Sequence, residues 1–393
     1  MRAAAVLAFL FLFLVGVKAL ESGIKAFGAD VAERLFDLVS SPVAGLSAGI
    51  LATVLVQSSS VSTATIVGMV GSGALTLGTA VPMIMGANIG TTVTNTLASL
   101  GHIRQGQEFR RAFAGATIHD FFNLITVALL LPLELWTGFL SRSAGYLTDV
   151  FTDRRLSVTA VPPSSPIKDA IGAPVDLVTT AVEALTSSPL TRGLVLLAFG
   201  LALIFLALAS ITRNMRRLMA GRIEASLNAV LSRGAGIGAM VVGMLITVSV
   251  QSSSITTSVL IPLVAAGILT LENAYPVTLG ANVGTTITAL LASLAADRRE
   301  ALTVALTHTL FNLCGIALLY PVPAIRRIPL ILARRLAEVA QKHKQIAVIY
   351  VVGAFIALPL MGMLLFGEVS FHGVRVVQGS VGVGAGVHRG PCR

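Results

Sequence analysis

The sequence predicts an all-α polytopic membrane protein. It reads as two inverted-topology repeats, each with a re-entrant helical hairpin and a broken transmembrane helix. Three observations carry that prediction. First, 55% of the 393 residues are hydrophobic and only 12% charged, with a mean hydropathy of +0.87; a soluble domain has roughly twice that charge. Second, residues 57–100 (QSSSVSTATIVGMVGSGALTLGTAVPMIMGANIGTTVTNTLASL) recur as residues 251–294 (QSSSITTSVLIPLVAAGILTLENAYPVTLGANVGTTITALLASL) at a constant offset of 194, with 23 of 44 positions identical. Third, the kept letters include hydroxyls and amides in apolar surroundings, where burying them unpaired costs several kcal/mol each.

The elements follow in chain order. Residues 3–20 are long enough for one crossing, at about 20 residues per span. A signal peptide is the alternative for this stretch. An equivalent span, Leu194 to Ile211, precedes the second QSSS at the same distance, so a retained helix is expected. Residues 21–42 read as amphipathic and interfacial. The apolar run Val43 to Val56 covers only about 21 Å at 1.5 Å per residue, short of a membrane core of about 30 Å. QSSS and a second short run, Val61 to Val70, follow it. Two short arms around a polar tip read as a re-entrant hairpin, which is tolerated at depth only inside protein or beside a water-filled cavity.

Thr79 to Leu100 is a full span interrupted by GANIGTT, read as two half-helices. HIRQGQEFRR (102–111) reads as a polar, basic loop, and Ala112 to Leu133 as a span carrying His119, Asp120 and Asn123. In this division residues 1–133 form the first inverted repeat, and 134–189 an extramembrane loop with amphipathic helix near 167–187. Residues 190–322 form the second repeat: a span at 194–211, an amphipathic stretch at 223–232, a hairpin at 235–269, a broken helix at 274–294 and a span at 301–320. Then come a basic cytoplasmic segment (323–345), an additional transmembrane helix (346–366) and a disordered tail (367–393).

Charge fixes the expected topology. With the basic stretches 213–222 and 325–344 in the cytoplasm, 102–111 is also inside and 134–189 outside. The first hairpin then enters from outside and the second from inside. The N-terminus is cytoplasmic, and the protein is multi-pass in the cell (inner or plasma) membrane. Arg298 and Arg299 fall outside in this scheme, against the rule. The net charge of +10 sits in short clusters between apolar spans, so nucleic acid is not an expected partner. Two cysteines, Cys314 and Cys392, imply no disulfide framework. No phosphate-binding GxxxxGK[ST] loop is present.

Inverted repeats whose broken helices meet near the midplane are a secondary-transporter architecture. Half-helix N-termini suit an anion, while carbonyls and hydroxyls suit a hard cation such as Na+. Serine offers both functions. Neither motif contains Lys or Arg, so a multiply charged anion there needs its countercharge from bound Na+. At about 4 Å and an effective dielectric of about 20, each such pair is worth about 4 kcal/mol. Asp120 is the one carboxylate within the repeated spans, opposite Thr309 in the second copy; intramembrane acids are costly and usually functional.

At these residues the chain resembles the type II sodium/phosphate cotransporter family. The two QSSS motifs, GANIGTT, GANVGTT and EFRRAFAGATIHDFFN (108–123) carry the resemblance, over about residues 1–340. It implies sodium-driven uptake of inorganic phosphate, with no enzymatic activity and no organic cofactor. Two or three co-transported Na+ are expected; a homodimer is left open. By position, Gln251, Ser252, Ser254, Thr285 and Thr288 resemble a sodium site, to which Asp120, Thr92 and Thr94 are added. Gln57, Ser58, Ser59, Ser60 and Ser253, with Asn88, Thr91 and Asn282, are assigned to phosphate. The external loop lacks the cysteines of eukaryotic members, and the shorter length suggests a bacterial protein. A symporter for arsenate or sulfate, a channel and a non-transporting anion sensor are the alternatives.

Overall fold

The computed structural model describes residues 2–27, 39, 41–152, 166–218, 236–367, 369–371 and 374–376. The described chain is almost wholly helical. Helix α1 (Arg2–Ala26) leads to the first hairpin, α2 (Pro42–Val56) and α3 (Ser59–Ser72). Helices α4 (Leu77–Gly90) and α5 (Val93–Ser99), a 3-10 turn (Leu100–His102) and the long α6 (Gly106–Thr137) follow. Next come α7 (Phe139–Thr152), α8 (Pro166–Leu185) and α9 (Pro189–Leu218). The second hairpin is α10 (Ile237–Val250), α11 (Ser253–Ser258) and α12 (Leu260–Ala265), ahead of α13 (Leu271–Ser293). The chain continues through α14 (Arg299–Leu319), α15 (Pro323–Lys342), α16 (Gln345–Val352), a π-helical turn (Gly353–Ala357) and α17 (Leu358–Phe366). A two-stranded antiparallel ribbon, β1 (Val369–Phe371) and β2 (Val374–Val376), follows.

Among the described residues, five helices are long and apolar enough to cross a membrane: Ala4–Ala26, Gly106–Thr137, Pro189–Met215, Arg299–Leu319 and Gln345–Phe366. The hairpin arms, α4 (14 residues) and α5 (7 residues) are too short, and α13, at 23 residues, is long enough but not apolar enough.

Glycine explains how the hairpins are held. A Cβ on Gly49 would lie 2.0 Å from the Met83 carbonyl oxygen, and one on Gly86 2.0 Å from that of Leu46, so α2 and α4 touch backbone to backbone. The second copy repeats this: Gly243 against Val277 at 2.1 Å, Gly280 against Met240 at 1.7 Å. Along both seams the residue numbers rise together (Gly45 meets Thr79, Gly49 meets Met83, Gly90 meets Ile50), so α2 runs parallel to α4. The chain must therefore turn back at Gln57 and return to the end it left before α4 begins. Helices α1 and α9 run the opposite way to each other, with Gly16 against Gly200 and Gly23 against Gly193.

Several expectations are corrected. The first broken helix does break within GANIGTT, at Thr91–Thr92 between α4 and α5. The second does not break at all: α13 runs unbroken for 23 residues through GANVGTT. The reason is that these glycines serve close helix packing, so they remain helical. EFRR is not loop but the first turns of α6. Within 134–189 the described residues form two helices, α7 and α8, where the sequence suggested only the second: Glu134 accepts from the Leu140 and Ser141 amides at 2.6 and 3.3 Å, capping α7. Helix α7 docks on α14 through Thr148–Thr303 (2.9 Å), and α8 buries Ile171 and Val175 against Val15 and Ala19. The expected helix near 167–187 is α8. The supposed interfacial stretch 21–42 begins within α1, where Glu21 is fully buried. The rest of it, apart from Phe27, Val39, Ser41 and Pro42, lies outside the described residues, as do 153–165, 223–232 and most of the tail.

Ion pairs mark the two ends of the bundle. At one, Lys18 and Lys25 hold Asp297 at 2.6 and 3.1 Å, and Lys25 holds Glu21 at 2.6 Å. Burial raises the Asp297 carboxyl, but the hydrogen bonds from Lys18 and Lys25 outweigh it and hold the group well below the usual carboxylate range. Arg299 pairs with Asp149 at 2.5 Å, and the guanidinium of Arg298 lies over Gly73 at the base of the first hairpin. At the other end of α13, Arg334 pairs with Glu272. Arg111 donates to the Ala265 carbonyl at 2.8 Å and lies over Gly267, at the base of the second hairpin.

Candidate functional site

Each hairpin turns at its glutamine by the same local device. Gln57 (φ 55°) and Gln251 (φ 56°) are the two non-glycine residues with positive φ among the described residues. Each caps its first arm in the left-handed region, with its amide N–H bonded to the Thr53 or Thr247 carbonyl at 2.8 or 2.7 Å. A β-carbon makes that conformation costly, by about 1–3 kcal/mol. Ser58 and Ser252 then cap the returning arms, accepting from the Val61 and Ile255 amides at 3.4 Å.

The glutamine side chains are locked twice. The Nε2 of Gln57 donates to the Val54 carbonyl at 2.5 Å, and that of Gln251 to the Val248 carbonyl at 2.7 Å. Their Oε1 atoms accept from Thr94 at 3.1 Å and from Thr288 at 2.8 Å. Both Gln–Thr pairs are 37 residues apart, so the duplication survives at the level of single hydrogen bonds.

The two tips meet. Ser60 Oγ donates to the Gln251 carbonyl at 3.4 Å, and Thr288 Oγ1 reaches Ser60 Oγ at 3.5 Å. Asn95, on α5, donates to Thr257, on α11, at 2.6 Å. Ser253 is buried beside this junction, and its hydroxyl has no partner. Ser59 and Ser60 are buried; Gln57 is exposed; Gln251, Ser252 and Ser254 are half-buried. Among the described residues, no ion pair involves the tips.

The threonines are engaged differently. Thr91 donates to the Ala87 carbonyl at 2.8 Å, Thr92 to Ile89 at 2.8 Å and Thr285 to Asn282 at 2.6 Å. A hydroxyl whose proton is engaged this way offers only lone pairs outward, which suits a cation. Thr92, Thr94, Thr285 and Thr288 all fit that description. Thr91 fits it too, against its assignment to an anion.

Asn88 and Asn282 lie in a separate buried seam. Asn123 donates to the Asn88 carbonyl at 2.8 Å, and Asn312 reaches the Asn282 carbonyl at 3.4 Å, again a duplicated contact. Asn282 donates to both Asn123 and Asn312 Oδ1 at 2.9 Å, and His308 Nε2 faces Asn88 Oδ1 at 3.3 Å. This network stitches the halves together, and its amides are largely engaged. His119 and the Asn282 Oδ1 have no partner in it.

Asp120 is fully buried. Its Oδ2 accepts from Tyr350 Oη at 2.9 Å and from Thr96 at 3.4 Å, while Oδ1 has no partner. The single Thr96 hydroxyl proton is shared between Asp120 Oδ2 and the Thr92 carbonyl, 3.1 Å away, which ties Asp120 to the break between α4 and α5. Sequence reasoning missed Tyr350, because it lies outside the duplication. It missed Asn95 because its counterpart is Ala289, so a search for repeated polar letters passes over it.

A family model described as "Na+/Pi-cotransporter" matches residues 12–137 and 203–363. Sodium-dependent phosphate transport protein 2A from Ovis aries is 36% identical over 96% of this chain and 69% of its own length. The Mus musculus protein of the same name is 37% identical over 96% and 68%. Sodium-dependent phosphate transport protein 2B from Homo sapiens is 33% identical over 96% and 66%. No solved structure matches. The match spans both hairpins, Asp120 and Tyr350, and on it the chain belongs to the Na+/Pi-cotransporter family.

Proposed function

We propose that the protein imports inorganic phosphate with Na+, by alternating access around the two QSSS tips. The observation that carries this reading is the meeting of the tips, Ser60 of one on Gln251 of the other. The relatives' sodium-dependent phosphate transport agrees with it. Inverted topology is supported by the contacts at the two ends of α13: the first hairpin's base adjoins Arg298, the second's adjoins Arg111. The antiparallel pairing of α1 with α9 points the same way.

Phosphate faces Ser59 and Ser253, with Ser58 and Ser60 beside them. The unengaged Ser253 hydroxyl supplies a donor, and the N-terminus of α3 supplies peptide N–H groups. Gln251, Ser252, Ser254, Thr285 and Thr288 hold one Na+. Asp120, with Thr92 and Thr94 on the broken helix, serves a further one. Asn88 and Asn282 act in this reading as the seam behind the site, and Thr91 sides with the cation ligands. The protein is placed in the cell membrane with its N-terminus inside. Uptake of labelled phosphate into proteoliposomes is expected to require an inward sodium gradient and to fall to background when potassium or choline replaces sodium. Sodium-independent uptake, or preferential uptake of sulfate, would overturn the reading.

A further inference from the structure

Helix α15 carries three distinct stripes. Pro329, Leu330, Ala333, Ala337 and Ala340 are buried, packing with Phe109 and Phe113 of α6. A second stripe, Ile328, Leu332 and Val339, recurs at i, i+4 and i+11 and is 43%, 38% and 47% exposed. A third holds Arg327, Arg335 and Lys342, all exposed, with Glu338 as the one acid and Ile331, 49% exposed, as the one apolar side chain among them. Arg334 is engaged by Glu272, and Arg326 lies over the Tyr320 ring at 5.0 Å, so neither is counted.

The connections decide where this helix lies. It begins four residues after the span Arg299–Leu319 ends, and the span Gln345–Phe366 begins three residues after it ends. In the charge-derived topology both spans open on the cytoplasmic side, and the Ala stripe fixes the helix to α6. A 20-residue helix, about 30 Å long, is thus tethered at the membrane surface by both ends. Its exposed side pairs an apolar stripe with a basic one, the pattern of a helix lying in the headgroup layer.

We propose that α15 is a lipid-binding element: Ile328, Leu332 and Val339 enter the acyl region, and Arg327, Arg335 and Lys342 bind the phosphates of anionic phospholipids. Free phosphate has the charge but nothing for the apolar stripe, so a lipid is the occupant that fits both. The inference rests on the membrane-spanning character of the chain and not on what it transports.

Native mass spectrometry of the full chain, without sodium or added phosphate, is expected to retain phosphatidylglycerol in preference to phosphatidylcholine. Each basic residue is worth roughly fivefold in attraction to an anionic surface, so R327Q/R335Q/K342Q is expected to lower phosphatidylglycerol retention by roughly a hundredfold. Equal retention of the two lipids by the wild type, unchanged retention by the triple variant, or displacement of the lipid by inorganic phosphate would overturn the proposal. A fluorophore at V339C, with Cys314 and Cys392 replaced, is expected to be quenched by lipids brominated near the headgroup in nanodiscs. An unquenched label overturns it even where the triple variant does not fold.

Discussion

Asp120 is the residue whose surroundings ask most for an explanation. A carboxylate with no accessible surface keeps one oxygen on Tyr350 and Thr96 and leaves the other bare. An isolated buried charge is expensive, and two neutral donors on one oxygen do not balance it. A co-transported cation at the bare oxygen would. Asp120→Gly is accordingly expected to reduce the charge moved per phosphate, read as current against labelled uptake in the same vesicles; an unchanged ratio removes Asp120 from the cation path. Legibility differs sharply from residue to residue. Gln57, Gln251 and their serines stood out because duplication kept polar letters that packing does not require. Tyr350 and Asn95 did not, since one lies beyond the repeat and the other has an alanine as its counterpart. Asn88 and Asn282 stood out for the same reason as the glutamines and lie in a buried seam, because being kept twice is equally the mark of contacts that join two copies.

At the scale of elements, the hairpins and five of the spans were readable, because short apolar arms around a polar tip and long apolar runs are set by composition alone. The broken helices were read only in part. Gly in a helix usually signals weakness, at about 1 kcal/mol relative to Ala, but Gly86 and Gly280 are there because the neighbouring backbone leaves no room for a side chain. That distinction needs the partner helix and is invisible in one segment. Gly280→Ala is therefore expected to destabilise the protein by about 3 kcal/mol or more, at or above the usual range for overpacking, because its Cβ would fall 1.7 Å from the Met240 oxygen. Gly353→Ala, where a Cβ meets nothing within 4 Å, is the matched control. Thermal unfolding in detergent compares them, and equal midpoints would refute the packing account. Helices α7 and α15 were hidden for another reason: their polar faces make them look like loops until the surfaces they pack on are known.

At the scale of the whole molecule, the contacts give partners to the two arginines that strain the positive-inside rule in the charge-derived topology. Arg298 and Arg299 lie at the external end in that topology, and both are accounted for there: one against the base of the first hairpin, the other on Asp149. Opposite entry of the hairpins is tested with single cysteines at Gly78 and Ile268, both exposed, after removal of Cys314 and Cys392. An impermeant maleimide is expected to label Gly78→Cys from outside the cell and Ile268→Cys only after permeabilisation; labelling of both from one side would sink the inverted arrangement. The glycine seams bear on how such a molecule moves. Each hairpin is fused backbone to backbone with the helix that follows it, so a tip and its threonine travel as one solid piece. Between the two pieces stand the hydroxyl and amide contacts of the tips, and beside them an apolar face where Val61, Ala64 and Val67 of α3 share one core with Ala289 and Ala292 of α13. On the proposed reading, one block must slide along that apolar face while the tips part around the cargo.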